Sequence, residues 1–186
     1  MGYVLGIDEA GRGAWAGPLV VGAVIMGDFV LDGLTDSKLL PKHMREKFAE
    51  SIYRESVSVT LGWVNPQEID SMGLTEATSL GINRALSTLN CDENEIIIDG
   101  NINYLKHLKN SKCIIKADMT VPEVSAAGII AKVARDEYMR KIAIDYPGYG
   151  FETHVGYGTK KHINALRVHG ITGFHRLSYK PILKLA

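Results

Sequence analysis

Cysteine is scarce: the chain holds two, Cys91 and Cys113, without the spacing of a metal site and too few for a disulfide framework. Small disulfide-stapled folds are excluded, and a reducing, cytoplasmic compartment is expected. Long apolar runs are lacking too. The longest nearly apolar stretch, 14–26, contains two glycines and a proline, and it falls short of the roughly 18 residues a membrane helix needs. No basic region precedes an apolar segment at the N-terminus, so neither a secretory leader nor membrane association is expected. Low-complexity tracts and internal repeats are also missing, which excludes disordered and solenoid classes. Net charge is zero, from 21 basic and 21 acidic residues, and that balance alone speaks against a general nucleic-acid binder.

What is present suits one globular unit. A length of 186 residues corresponds to about one domain with a real core. The neutral average conceals a split: from Phe151 onward six Lys or Arg face a single acid, Glu152, so this tail carries +5 and residues 1–150 carry −5. The tail is either a solvated basic face or a phosphate-tracking surface beside an acidic centre.

Residues 3–8 and 19–26 read as strands, the second rich in Val and Ile and closed by Gly27-Asp28. Pro41 opens a helix to about residue 55, and 56–64 alternates like a half-buried strand. Helical spacing over 74–89 precedes the apolar run 96–98, which ends in Asp99-Gly100-Asn101. A strand over 113–116 delivers Ala117-Asp118, and Pro122 opens a long helix to about residue 145 with an inner stripe of Val124, Ala127, Ala131, Ala134, Tyr138 and Ile142. A Gly and Tyr-rich loop follows, and a last helix starts near Thr159. Strands first, then strands alternating with helices, predict an α/β or α+β domain around a mixed sheet on which the C-terminal helices pack.

Residues 6–18, "GIDEAGRGAWAGP", contain a G-x-G-x-x-A match at Gly11, Gly13 and Ala16. A dinucleotide turn must open a helix so that pyrophosphate meets free N–H groups. Here Pro18 and "LVVGAVIM" follow, which is strand chemistry, so the nucleotide reading fails on context. The acids point elsewhere. Asp8-Glu9, Asp99 and Asp118 each follow a different predicted strand, and they converge if those strands are neighbours. Bare anions sharing a small site would raise one another's pKa until some were neutral. Divalent cations remove that difficulty, and oxygen ligands without His or Cys select Mg²⁺ or Mn²⁺. Adjacent residues of a regular strand face opposite sides, so Asp8 and Glu9 converge only if the pleat breaks or Glu9 contributes through its carbonyl.

The series "GIDEAGRG", "DSK", "DGN", "KAD", "SAAGIIAKVARD", "YPGYGF", "HVGYGTKKH" and "HRLSYKP", in that order from about Gly6 to Pro181, resembles type 2 ribonuclease H. The resemblance implies one ribonuclease H-like catalytic domain over 1–186, with a mixed β-sheet flanked by helices and a basic helical C-terminal segment from about 147. It implies an endonuclease acting on RNA/DNA hybrids and on ribonucleotides embedded in duplex DNA, cutting on their 5′ side with two divalent ions, Mg²⁺ or Mn²⁺. By motif position Asp8, Glu9, Asp99 and Asp118 are the catalytic metal ligands. Gly11, Arg12 and Gly13 are implied to read the ribose 2′-hydroxyl through their backbone, and Tyr157 to pack on the adjoining sugar. Lys38, Thr159, Lys160, Arg176 and Ser178 are expected phosphate contacts. A monomer is expected, with replication or repair partners left open.

Three departures stand out. Ala14-Trp15 replaces the usual Pro and aliphatic residue, Gly128 stands where Ser is usual, and Gly173-Phe174 replaces a Pro-containing pair. A resolvase-like or integrase-like DNA nuclease, or a hybrid-binding module without catalysis, are the competing readings.

Overall fold

A computed structural model describes residues 2–91 and 93–185. Its centre is a five-stranded sheet made of β1 (Val4–Ala10), β2 (Leu19–Ile25), β3 (Ser58–Val64), β4 (Glu95–Asp99) and β5 (Ser111–Ile114), in the order β3-β2-β1-β4-β5. β2 runs antiparallel to β1 and β3, whereas β4 is parallel to β1 and β5 to β4. The expected mixed sheet is found. Because β1, β4 and β5 run the same way, their C-terminal ends share one edge of it.

Period-two alternation assigns the two faces. Leu5 and Ile7 of β1 join Val21, Ala23, Ile96 and Ile98 and pack on Ile82 and Ala85 of α3 (Leu74–Leu86). On the other face Val24 and Met26 meet α1 (Lys42–Glu55) and α4 (Pro122–Ile142), through Phe48 and Ile52 and through Ala126, Ala127 and Ile130. α4 lies close because β1 presents Gly6 to it, where an added Cβ would fall 2.2 Å from the Glu123 carbonyl carbon.

Several details differ from the sequence pattern. The buried stripe of α4 keeps Val124, Ala127 and Ala131 but then turns to Arg135 and Met139, leaving Tyr138 36% exposed. No apolar pattern anticipates an arginine in a core; this one is stabilised there by backbone carbonyls, as shown below. α2 (Pro66–Met72) is too short for periodicity to show, although Asn65 and Glu68 form a capping box at its start. β5 begins and ends two residues early, since Lys116 adopts the left-handed region (φ 59°) and turns the chain into a 3₁₀ turn, Ala117–Met119.

The C-terminal helices α5 (Phe151–His154), α6 (Lys160–His169) and α7 (Lys180–Leu183) do not join the sheet core as expected. They build an aromatic-rich core of their own around Tyr149, Phe151, Leu166 and Ile182, joined to the rest through Met139 and through Trp15 and Ala16. Among the described residues no helix is long and apolar enough to cross a membrane.

Candidate active site

The C-terminal ends of β1 and β4 open into a cleft of about 550 Å³ whose wall includes Asp8, Glu9, Asp99, Lys38, Lys132 and Tyr157. Asp8 is buried, and its Oδ1 accepts the Glu9 N–H at 2.7 Å. Its other oxygen lies over Gly128, where a Cβ would sit 2.3 Å from Oδ2; the absence of the usual side chain leaves that space to the carboxylate. Burial, then the charges of Glu9 and Asp99, push the Asp8 carboxyl well above its ordinary value, against the pull of the Glu9 N–H and Lys38.

The break in the pleat that would aim Asp8 and Glu9 the same way is absent. β1 keeps its register with β2 as far as Ala10 opposite Val20, so Glu9 leaves on the α3 side. There its Oε1 meets Arg12 Nη1 at 3.4 Å, and the same nitrogen reaches Thr78 Oγ1 and Tyr104 OH at 3.4 Å each. Burial raises the Glu9 pKa despite Arg12, and Asp99 adds to the rise.

Asp99 ends β4 and accepts the Ala117 N–H at 2.8 Å, so the turn after β5 fixes its orientation. Asp118, on that turn, is buried and does not line the cleft. Its carboxyl is raised by burial and by the neighbouring charges of Asp99 and Asp36. Lys38 is the counterweight. Burial disfavours its charge, but Asp36, at 3.3 Å, together with Asp8 and Asp118 outweighs that and raises its pKa.

Among the described residues no three His, Cys, Asp or Glu side chains are drawn together tightly enough to chelate an ion unaided. The donor set nevertheless fits a hard cation. It consists of carboxylates alone, crowded enough to raise one another's pKa, and Mg²⁺ typically takes one or two carboxylates and completes its shell with phosphate and water.

The glycine loop after β1 rests on two buried arginines. Arg135 donates to Pro18 O (2.8 Å), Ala16 O (3.1 Å) and Val155 O (2.9 Å). Arg176 donates to Gly17 O (3.0 Å), Arg12 O (3.0 Å) and the Tyr179 hydroxyl (2.8 Å), while its Nη2 has no partner among the described residues. Burial lowers the Arg135 pKa to about 10 and depresses Arg176 as well. Gly11 sits at φ 91°, and a Cβ there would fall 2.1 Å from Arg135 Nε, so the fold itself requires glycine. Gly13 is different. A Cβ at Gly13 would touch nothing within 4 Å, and the residue lines the cleft, so its missing side chain leaves room for a ligand rather than for the protein.

Tyr157 stands across the cleft, its ring 5.5 Å from Lys132 Nζ and from Arg135 Cζ. Four expected phosphate contacts do not line the cleft. Arg176 is fully buried and serves the loop's carbonyls, a correction to its expected role. Ser178 Oγ is bound to Asp70 Oδ1 at 2.6 Å, and Thr159 caps α6 by accepting the His162 N–H at 3.2 Å. Lys160 is exposed on the first turn of α6.

Lys132 and Arg45 were not anticipated on the cleft wall. Arg45 donates to Ser37 O (3.1 Å) and Leu40 O (2.5 Å), pinning the segment that carries Lys38. Lys132 pairs with Asp136 at 2.8 Å. The sequence signal was there: Lys132 and Arg135, three apart, share one face of α4 and follow directly on its apolar stretch 126–131.

Residues 5–182 match the family model described as Ribonuclease HII. A curated protein named Ribonuclease HII from Dichelobacter nodosus (strain VCS1703A) is 43% identical over 184 residues, covering 98% of this chain and 96% of the relative. The crystal structure of ribonuclease H2 from Pyrococcus horikoshii OT3 aligns with a TM-score of 0.81 at 27% identity, covering 98% of this chain and 96% of that one. The structure of the PCNA:RNase HII complex from Archaeoglobus fulgidus aligns with a TM-score of 0.80 at 26% identity, over 96% of this chain and 95% of that one.

Proposed function

This chain belongs to the ribonuclease HII family, and from that premise we propose that it cuts RNA/DNA hybrids and, on their 5′ side, ribonucleotides embedded in duplex DNA, with two divalent ions, Mg²⁺ or Mn²⁺, held by its acids. One observation carries the reading. A single cleft is lined by Asp8, Glu9 and Asp99, by Gly13 with no side chain in the way, and by Tyr157, which pairs acids suited to metal-assisted hydrolysis with surfaces suited to sugars.

Asp8 would bridge the two ions, Asp99 and Glu9 would hold one, and Asp118 would help hold the other or the attacking water. Such ions, when bound, activate water and steady the leaving oxygen in phosphodiester cleavage. Water oxygen bonds to phosphorus, the bond to the 3′-oxygen breaks, and that oxygen takes up a proton, giving a 3′-hydroxyl and a 5′-phosphate. Lys38, kept charged by its acidic neighbours, and Lys132 place positive charge beside the phosphate. The 2′-hydroxyl is what distinguishes RNA from DNA, and the backbone of Gly11 to Gly13 can approach it because no Cβ intervenes at Gly13. Tyr157 packs on the neighbouring sugar. With contacts to sugar and phosphate, little base preference follows. One chain supplies every part, so a monomer suffices, and the likeness to a relative solved with PCNA supports a PCNA-type partner.

The test is a labelled DNA duplex carrying one ribonucleotide, incubated with Mg²⁺, Mn²⁺ or a chelator, with both product ends mapped. Cleavage 5′ of the ribonucleotide that stops on chelation is expected. Equal cleavage of an all-DNA duplex would favour a resolvase-like nuclease, and binding without cleavage a hybrid-binding module; either outcome refutes the proposal.

A further inference from the structure

Trp15 belongs to the glycine loop, but its indole lies on the neighbouring loop that carries Tyr157. A Cβ built on Gly158 would fall 2.1 Å from Cζ2 and 2.2 Å from Cε2 of the ring, so the indole rests directly on that backbone. The ring also meets the His162 imidazole, with centroids 5.8 Å apart. The backbone of Trp15 is tied on both sides: its N–H donates to Gly156 O at 2.8 Å, and its carbonyl accepts the Arg176 N–H at 2.8 Å. Gly156 is pressed equally close, since a Cβ there would lie 2.3 Å from Ala16 O.

Tyr157 sits between these two glycines. Its N–H donates to His154 O at 2.9 Å, and its carbonyl accepts from His162 Nδ1 at 3.1 Å. The backbone of Tyr157 is thus anchored on both sides, and the residue lines the cleft with its ring 5.5 Å from Lys132 Nζ. A tryptophan ring is rigid, with two rotatable side-chain bonds, so an indole wedged between two backbones sets their separation. A smaller side chain would leave a gap that the loops must close or water must fill. Either change moves Tyr157 relative to Gly13.

We propose that Trp15 is a positioning residue that sets the distance between the backbone of Gly11 to Gly13 and the phenol of Tyr157, and thereby how strictly the cleft prefers a single embedded ribonucleotide to a continuous hybrid. This rests on the reading that those two surfaces meet adjoining sugars. An isolated ribonucleotide presents one 2′-hydroxyl next to one deoxyribose, so both surfaces must be met at one fixed distance. A continuous hybrid presents a 2′-hydroxyl on every sugar of the strand and tolerates a slip of the loop.

The experiment measures kcat/KM in Mg²⁺ on a duplex with one ribonucleotide and on an RNA/DNA hybrid, for the wild type, Trp15→Phe, Trp15→Ala, Gly158→Ala and the Trp15→Ala/Gly158→Ala double variant. Urea unfolding is recorded for each. Trp15→Ala is expected to lower the ratio of the two values roughly tenfold, within the roughly hundredfold that a misplacement of about 1 Å can cost, and Trp15→Phe to hold it within about twofold. Gly158→Ala should lower the ratio alone yet add little to Trp15→Ala, because the added methyl then has no ring to strike; such coupling is what a double-mutant cycle isolates. Lost stability by itself lowers both activities together and leaves the ratio where it was. A wild type that cleaves without need of a ribonucleotide would overturn the functional reading. A ribonucleotide-dependent wild type whose ratio survives both Trp15→Ala and Gly158→Ala would overturn the spacer alone.

Discussion

Three buried histidines support the Tyr157 loop, and their proton order leads to a quantitative expectation. His162 Nδ1 must carry a proton, because it faces the Tyr157 carbonyl at 3.1 Å. Its Nε2 is therefore an acceptor, and His175 Nε2, 3.1 Å away, must donate to it. His175 Nδ1 in turn accepts the Thr172 N–H at 3.1 Å. Both rings are thus neutral with one tautomer each; a second proton on His162 Nε2 would face the proton on His175 Nε2, and one on His175 Nδ1 would displace the Thr172 N–H and leave the Thr172 hydroxyl at 2.9 Å to accept it. Burial is the main reason both titrate near 4 rather than at 6.5.

The sign follows. An unfolded imidazole takes up its proton near 6.5 while the folded one does not, so the stabilisation is full above that pH, falls as pH drops, and levels off below about 4. Between pH 7.5 and 4.5 such a ring should cost the fold on the order of 2 kcal/mol. Glu68, Glu137 and Glu152, whose pKa values are lowered by Arg84, Lys141 and backbone bonding respectively, lose stabilisation in the same direction, whereas the raised Asp8 and Glu9 oppose it. The total slope is therefore mixed, and a difference isolates the histidine. His175→Gln keeps a donor toward His162 and does not titrate. Urea unfolding of wild type and variant at half-unit intervals should show the wild type losing on the order of 2 kcal/mol more than the variant over that range. Curves that stay parallel within about 0.5 kcal/mol would refute the exclusion of a second proton from the folded His175 ring.

Asp99→Asn should reduce turnover on the order of 10³-fold, the scale of losing one electrostatic stabiliser of a transition state, while an amide oxygen still accepts the Ala117 N–H; single-turnover assays with an unfolding curve would check both. Gly11→Ala should destabilise by about 3 kcal/mol or more, from left-handed strain and collision with a buried guanidinium, and a urea midpoint close to wild type would contradict it. Tyr157→Ala should lower the preference for the ribonucleotide-containing duplex about tenfold while weakening plain duplex binding less, as paired cleavage and binding titrations would show.

Much of this architecture is legible from residue patterns. The strand ends bearing Asp8 and Asp99 follow from short apolar runs that stop at turn residues, and the structure places those acids side by side on parallel neighbours. What escapes is decided by tertiary contacts. Arg176 and Ser178 look like surface phosphate ligands in a basic tail, yet one is enclosed by the carbonyls of Arg12 and Gly17 and the other is bound to Asp70. Arg135 breaks the apolar stripe of α4 for the same reason. Backbone carbonyls leave no trace in composition, so a cation recruited to satisfy them is indistinguishable from one awaiting a phosphate. Trp15 shows the converse, since its partner is a glycine with no side chain to signal the contact.

The way the glycine loop is bonded also ties it to a distant part of the sequence. The strands that carry Asp8 and Asp99, and the turn with Asp118, are complete before α4 begins. The loop's carbonyls at Arg12, Trp15 and Gly17, however, are held by Arg176 and Tyr179, near the far end of the chain. Because a domain folds as a unit, a chain that stops short of Arg176 leaves those three carbonyls without the donors that hold them. The shape of the loop after β1 is thus set by contacts 159 and 164 residues away in sequence.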